Sequence, residues 1–379
     1  MAEDAATSVV PDPVEASIGQ APGDPAGQAP RGGGGGRDRG GGGGGGRDRG
    51  GGGGGGRDRG GDWPDGGGGP DGGGPDGGGG PDGGGPDGGG GRIAVAKTYK
   101  LFIGGAFPRS ESGRTYPVLD TSGAFAANAA LASRKDARDA VVAARKAFHR
   151  WSGATAYNRG QVIYRIAEML EGRRTQFTDL LGGRAQDAVS VDAAVDRLVH
   201  YAGWTDKIAA VFGGANPVAG PYFSFSIPEP TGVVAAIAPQ DDPLLGLVSV
   251  IAPIIASGNT TVVIAAAAQP LPAMTLAEVL ATSDLPDGVV NILTGDAAEI
   301  APHLAAHGDV NALDLTGAAM PLRAELEKAA AGTVKRVYTP RVGTDFTRSP
   351  GTARLRAFVE IKTVWHPTGE VSLAGGPGY

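Results

Sequence analysis

The chain predicts an α/β fold, a parallel sheet with helices packed on both faces, and three observations carry that expectation. Val233–Ile237 is a short, wholly apolar run, the pattern of a strand buried on both faces. A second such run, Thr260–Ile264, follows an apolar helical segment from Pro243 to about Ala256, with Gly258 just beyond it. Strand and helix patterns then alternate: Val289–Leu293, Glu299–Ala306, Ala312–Leu315, Pro321–Ala330 and Val334–Tyr338. Together these make about five parallel strands.

From the amino end, the 69 glycines of the 379-residue chain are concentrated before Arg92. Met1–Ala29 is rich in Ala and Pro, GGGGGGRDRG recurs from Gly32 to Gly61, and Pro-Asp-Gly-Gly-Gly units run on towards Gly91. Within the glycine-rich part only Trp63 has an apolar side chain to bury, so nothing offsets the backbone entropy of ordering it. Residues 1–92 are therefore expected to be a disordered tail. The folded domain is expected over 93–350, a terminal strand over 351–367 and a flexible tail over 368–379.

Tyr99–Gly105 and Arg114–Leu119 predict a hairpin across a Ser/Glu/Gly turn. Ser133 is placed to cap a helix covering Asp136–Trp151, with basic residues towards its end. Asn158 and Gln161 form a capping-box pattern for a second helix striped by Ile163, Ile166, Ala167 and Leu170, with Gly182 beyond its end. Leu198, Tyr201, Ile208 and Val211 keep helical spacing in a third, Asp187–Phe212. Val359–Trp365 alternates as a strand and, in a lone monomer, would leave a partly apolar edge exposed.

A net charge of −6 and a pI near 5.5 give no general attraction to nucleic acid or anionic membrane. The absence of cysteine excludes a disulfide scaffold. No apolar run approaches the ~20 residues of a membrane span. Acidic Glu3 and Asp4, with no hydrophobic segment behind them, argue against a secretory signal, and a cytoplasmic location is the expectation.

The run PEPTGVVAAIAPQDDPLLGLVSVIAPIIASGNTTVVI, Pro228 to Ile264, resembles the cofactor domain of the aldehyde dehydrogenase superfamily. Further matches follow the family order. They are LFIGGAFPRSESGRTYPVLDTSG (Leu101–Gly123), AVVAARKAFHRW (Ala140–Trp151), LPDGVVNILTG (Leu285–Gly295) and LRAFVEIKTVWHP (Leu355–Pro367). The resemblance implies a Rossmann-like NAD(P)-binding-type domain and, in the last segment, a strand that pairs subunits. Self-association, or a hetero-oligomer with an active aldehyde dehydrogenase, is the partner it implies.

The same resemblance exposes departures. The family uses a cysteine thiolate to attack the aldehyde and a glutamate to activate water, and a thiolate suits the first task as a good nucleophile near neutral pH. This chain has no cysteine, and Tyr338-Thr339-Pro340-Arg341 stands where the glutamate motif is due. Too little chain lies between Val337 and Leu355 for a catalytic domain of roughly 100–200 residues. Asp241, within Pro239-Gln240-Asp241-Asp242-Pro243, takes the place of the asparagine that donates to the oxyanion. A carboxylate ~4 Å from that charge adds roughly 4 kcal/mol of repulsion.

At the ribose-holding Lys-Pro-Ser-Glu stands Ile264-Ala265-Ala266-Ala267, and the Phe-Thr-Gly-Ser turn becomes Leu315-Thr316-Gly317-Ala318. The cofactor positions implied are thus Pro239, Gln240, Asp241, Ile264, Ala267, Thr316, Gly317 and Ala318, mostly stripped of their polar groups. No catalytic residue and no tight binding of NAD(P) are expected. The leading expectation is a non-catalytic pseudoenzyme acting as a scaffold or subunit partner. The alternatives are an NAD(P)-dependent oxidoreductase acting on aldehydes and an RNA-associated protein working through the Arg/Gly-rich tail.

Other patterns weigh less. His303 and His307 are four apart on a helix, yet no third ligand or intervening glutamate accompanies them, so a metal is not expected. Asp242 fits a helix cap better than an acid/base pair with Asp241. No Gly-x-Ser-x-Gly elbow or Walker loop occurs. The Arg-Asp-Arg-Gly repeats lack interleaved aromatics and are outweighed by Asp62, Asp65, Asp71, Asp76, Asp82 and Asp87, which favours a solvated tail over nucleic acid binding.

Overall fold

A computed structural model describes residues 96–341 and 343–368 of the chain. The tail expected over 1–92 and all but Thr368 of the one expected over 368–379 lie outside the described residues. In chain order the elements are β1 (Thr98–Tyr99), β2 (Thr115–Leu119), β3 (Phe125–Ala130), α1 (Arg134–Ser152), α2 (Ala156–Glu171), α3 (Arg174–Leu181), α4 (Ala185–Ala202) and α5 (Ile208–Phe212). They continue with β4 (Gly214–Asn216), β5 (Tyr222–Pro230), β6 (Val233–Ile237), α6 (Leu245–Ala256), β7 (Thr260–Ile264), α7 (Leu271–Leu280), β8 (Val290–Leu293) and α8 (Ala297–Ala305). β9 (Ala312–Asp314), α9 (Met320–Ala331), β10 (Arg336–Tyr338), α10 (Ala353–Ala357) and β11 (Val359–Pro367) complete them.

The five-stranded sheet runs β10-β9-β6-β7-β8, every pairing parallel. β6, β7, β8 and β9 are buried on both sides because successive residues feed opposite cores, while the edge strand β10 is half-exposed. Val233, Ala235 and Ile237 of β6 pack with Ala140 of α1, Leu304 of α8 and Leu326 of α9. Val234 and Ala236 pack the other way, with Leu247 and Ile254 of α6, Leu198 of α4 and Ile166 of α2. Burying each large apolar side chain is worth roughly 1.5–3 kcal/mol. The strand order reverses after β8, when the chain crosses back to lay β9 against the far side of β6. That reversal puts a crevice outside the carboxyl ends of β6 and β9, where open α/β sheets bind their ligands.

Ser133 caps α1 as expected: its hydroxyl accepts from the Asp136 amide, and the Asp136 carboxylate accepts from the Ser133 amide. α6 begins two residues later than expected, with Pro243 in the preceding turn. It ends in a Schellman arrangement, in which Gly258 donates to Ile255 and Asn259 to Ile254 while Gly258 takes φ +88°.

Several expectations are corrected. Tyr99–Gly105 does not pair with Arg114–Leu119. β2 instead pairs antiparallel with β3, while β1 lies parallel to β3 and Phe102 bridges to Ile292. α2 is capped by Thr155, not Asn158, and stops at Glu171, with the separate helix α3 intervening before Gly182. The third helix breaks at Gly203 into α4 and α5, and Val211 is left exposed.

A third sheet, β11-β5-β4, had no expected members except β11. β11 pairs antiparallel with β5 of the same chain from Val359↔Pro230 to Pro367↔Tyr222. Its outer edge has no strand partner among the described residues, and Ile361 and Trp365 are exposed there at 49% and 58%.

Candidate functional site

The crevice outside β6 and β9 gathers some of the residues expected to matter and leaves others out. β6 ends at Ile237, and the Gln240 side chain folds back over the strand ends. Its Nε2 donates to the Ala238 carbonyl at 2.8 Å and its Oε1 accepts the Ala267 amide at 3.0 Å. Gln240 thereby joins the loops following β6 and β7. Pro239 is buried and Asp241 is exposed. Ala267 takes part only through its backbone.

Ile264 does not face the crevice. It is a fully buried core residue of β7, paired with Ile237 on one side and Leu293 on the other. Asp242 is half-buried. It does not cap α6 as expected, since the helix starts after Leu244 and no side chain accepts from its first amides. Burial pushes its carboxyl above the usual carboxylate range, and the nearby amides of Gly246, Leu245 and Leu244 only partly offset that.

On the other bank, the turn after β9 is held tightly. Gly317 donates to the Ile237 carbonyl at 2.9 Å, and a Cβ on it would lie 1.9 Å from the Ala238 carbonyl oxygen. Only glycine allows that approach of turn to strand. Ala318 is buried, and its amide donates to Leu315. Thr316 donates both its amide and its hydroxyl to Asp314 Oδ1.

Asp314, the last residue of β9, is 0% exposed at its side chain, and a buried carboxylate requires a partner. It finds Arg354 of α10, itself 7% exposed, whose Nη1 donates to Asp314 Oδ2 and to Thr316 Oγ1 at 3.1 Å. The guanidinium also stacks 4.8 Å from the ring centre of Tyr338, at the end of β10. A second buried arginine works nearby. Arg197 of α4 donates to Ser249 of α6 at 3.0 Å and to the carbonyls of Phe346 and Arg348. Burial lowers the pKa of Arg197, and it pushes the Tyr201 hydroxyl up to about 12.

Asp314, Arg354 and Arg197 were missed in the sequence. A lone acid inside the apolar strand Ala-Leu-Asp-Leu was the available signal, since it calls for a cation from elsewhere. His303 and His307 are apart from all this, lining a surface hollow with Arg134, Lys135 and Arg138. No cluster able to hold a metal ion occurs among the described residues, nor any helix long and apolar enough to cross a membrane.

A model of the aldehyde dehydrogenase family matches residues 107–345, more than half of the chain. The chain belongs to the aldehyde dehydrogenase family. Among curated relatives, aldehyde dehydrogenase, cytosolic 1, of Elephantulus edwardii is 33% identical over 248 residues, covering 63% of this chain and 49% of that protein. Cytosolic 10-formyltetrahydrofolate dehydrogenase of Mus musculus is 31% identical over 262 residues, covering 65% and 28% respectively. Among solved structures, the NAD+ complex of the Bacillus cereus aldehyde dehydrogenase aligns with a TM-score of 0.60 at 27% identity, over 64% of this chain and 50% of that one. HpcC from Thermus thermophilus aligns with the same score at 32% identity, over 64% and 47%. This aldehyde dehydrogenase family chain thus spans about half the length, or less, of the curated relatives it matches.

Proposed function

We propose that this chain is a non-catalytic member of the aldehyde dehydrogenase family, acting as a scaffold or as the subunit partner of an active aldehyde dehydrogenase. The observation that carries this is the contrast between an intact parallel-sheet core and a crevice without reactive groups. The chain has no cysteine to form a thiohemiacetal. Asp241, at the family's oxyanion position, brings a negative charge where a donor is needed.

The positions proposed to face a dinucleotide, Pro239, Gln240, Asp241, Ile264, Ala267, Thr316, Gly317 and Ala318, do not fit one. Ile264 is sunk in the sheet and Ala267 carries no oxygen for a ribose. The Gln240 amide is already engaged by Ala238 and Ala267, and the Thr316 hydroxyl by Asp314 and Arg354. Losing one charge-assisted hydrogen bond to the ribose costs roughly 1.5–3 kcal/mol. NAD(P) is therefore expected to bind weakly.

The domain limits that go with this reading are 93–350 for the cofactor-type domain and 351–367 for the associating strand. The exposed outer edge of β11 supports pairing with a second copy or with an active relative. Relatives named as cytosolic support a cytoplasmic location.

The test is a sensitive NAD(P)-dependent assay on several aldehydes, with heat-killed protein as the control. Turnover no higher than the control is expected, and acid product formed by the purified chain alone would overturn the proposal.

A further inference from the structure

We propose that a recess at one end of the small sheet β1-β3-β2 binds a small phosphoryl anion, through Lys100, Arg109 and Arg114. It is built from other elements than the crevice after β6 and β9, and it stands whether or not the chain acts on aldehydes.

Backbone pairing brings the three cations together. β1 runs parallel to β3 with Tyr99 opposite Ala129, and β2 runs antiparallel to β3 with Thr115 opposite Ala130. Lys100, just after β1, and Arg114, just before β2, therefore lie at the same end of the sheet, on either side of β3. Arg109 comes from the loop between them. Leu101 donates to the Pro108 carbonyl at 3.0 Å, which lays Arg109 back towards Lys100. The turn Ser110–Gly113, closed by the Gly113 amide on the Ser110 carbonyl at 2.9 Å, returns the chain to Arg114. Ser110 is buried, and its hydroxyl donates to the Asp136 carboxylate at 2.8 Å, while the Glu111 amide donates to the same carboxylate at 3.0 Å. The turn is thus fixed to the cap of α1. Lys100, Arg109 and Arg114, with the hydroxyl-bearing Thr98 and Thr115, line one recess of about 340 Å³. That size suits a small molecule.

The charges in it are unbalanced. No carboxylate belongs to the lining. Among the described residues, Lys100 and Arg109 make no ion pair or side-chain hydrogen bond, and Arg114 reaches only Ser112 Oγ, at 3.5 Å. Glu111 is exposed and engages Lys135 at 3.3 Å instead. Asp136 is occupied by Ser110 and by the amides of Glu111 and Ser133. Three like charges therefore share one recess, and an anion bound there would relieve their repulsion.

The arrangement favours a phosphoryl group over a carboxylate. The cations reach the recess from three separate segments. A carboxylate presents two oxygens in one plane, whereas a phosphoryl group offers three acceptor oxygens around a tetrahedral centre. Arginine supplies paired N–H donors to such a group and lysine a point charge. A lone phosphate would leave part of the recess unfilled, and the two threonine hydroxyls suit the hydroxyl-rich remainder of a sugar-type monoester.

Calorimetric titration of the full chain with glucose 6-phosphate at low salt tests this. Binding with a Kd below about 1 mM is expected, and glucose alone should give no heat. Arg109→Gln and Arg114→Gln should each weaken binding at least about tenfold, whereas Arg150→Gln, at the other end of α1, should leave it unchanged. These side chains are exposed, so the variants should keep the parent urea midpoint. Where one does not, Lys100→Gln takes its place with the same expected loss. Inorganic phosphate is the second arm. Weaker binding of inorganic phosphate makes the monoester the occupant, equal binding makes free phosphate the occupant, and either result supports the site. No heat from either phosphate would overturn it, as would binding unmoved by Arg109→Gln and Arg114→Gln. So would an equal loss with Arg150→Gln, or malonate bound as tightly as the phosphates. No aldehyde enters these titrations, so this site and the non-catalytic reading fail separately.

Discussion

Asn259 and Phe358 lie 99 residues apart in sequence, and the side-chain amide of the first donates to the carbonyl of the second at 2.8 Å. The same fully buried asparagine accepts the Gly232 amide at 2.8 Å and donates to Ser257 Oγ at 2.9 Å. One side chain thus joins the entry to β6, the end of α6 and the residue before β11.

Asn259→Ala is expected to destabilise the fold by about 3 kcal/mol, because each buried polar group left without its partner costs about 1–3 kcal/mol. Asn259→Asp should cost at least as much, since a carboxylate keeps the acceptor for Gly232 but turns charge towards the Phe358 carbonyl. Urea midpoints measure both, and an unchanged midpoint for either would contradict the bonding described.

Gly317→Ala places a methyl group inside the Ala238 carbonyl. Either the turn after β9 or the end of β6 must move, and the expected cost is about 3 kcal/mol or more. For a folded part of this size that corresponds to a fall in Tm of roughly 6 °C or more. A calorimetric scan showing no fall would mean that the turn has slack.

The pH dependence of stability should carry the mark of Asp242. Its folded pKa is raised, chiefly by burial, so the folded state binds this proton more tightly than the unfolded chain does. Between the unfolded and folded values the folded state holds more protons, and stability therefore falls as pH rises through that window, which starts at the ordinary carboxyl value and extends upward from it. The destabilisation persists at neutral pH. Asp242→Asn should remove it, giving a flatter profile and a relative gain above the window, as read by urea unfolding from pH 4 to pH 7 (about 4 being the ordinary aspartate value). Parallel profiles for the two proteins would refute this assignment.

The outer edge of β11 should decide self-association. Ile361→Lys with Trp365→Glu is expected to weaken any dimer at least about tenfold, or about 1.4 kcal/mol, by placing charges on an exposed apolar edge. Sedimentation equilibrium reads the change. The Tyr222–Trp365 ring contact at 5.9 Å belongs to the fold of one chain, so a modest loss of stability should accompany it. Unaltered association would move the interface elsewhere.

The central βαβ unit was legible in the sequence because its signals are local. β6 and β7 have the limits that their apolar runs predict, and Ser133 and Gly258 end their helices by side-chain and backbone chemistry that spacing reveals. β5 was not legible. Pro228 and Pro230 speak against a strand, and they are tolerated because β4 pairs only as far as Ser226, leaving the proline side of β5 without a neighbour that needs an N–H. The break at Gly203 was hidden because a single glycine inside helical spacing is weak punctuation. At the crevice, the loss of polar groups at Ile264 and Ala267 could be read from residue types. The Asp314–Arg354 pair could not, since its partners are joined only by the folding of distant segments.

That separation has a consequence for synthesis. Arg354 leaves the ribosome 40 residues after Asp314. At ~5–20 residues per second the interval is roughly 2–8 s. Throughout it, a nascent β9 holds a carboxylate whose counter-charge has not yet been made. The parallel sheet can therefore collapse early but cannot lock until translation has passed Arg354, so the newborn chain passes through a loosened stage in which chaperones or proteases gain their best opportunity.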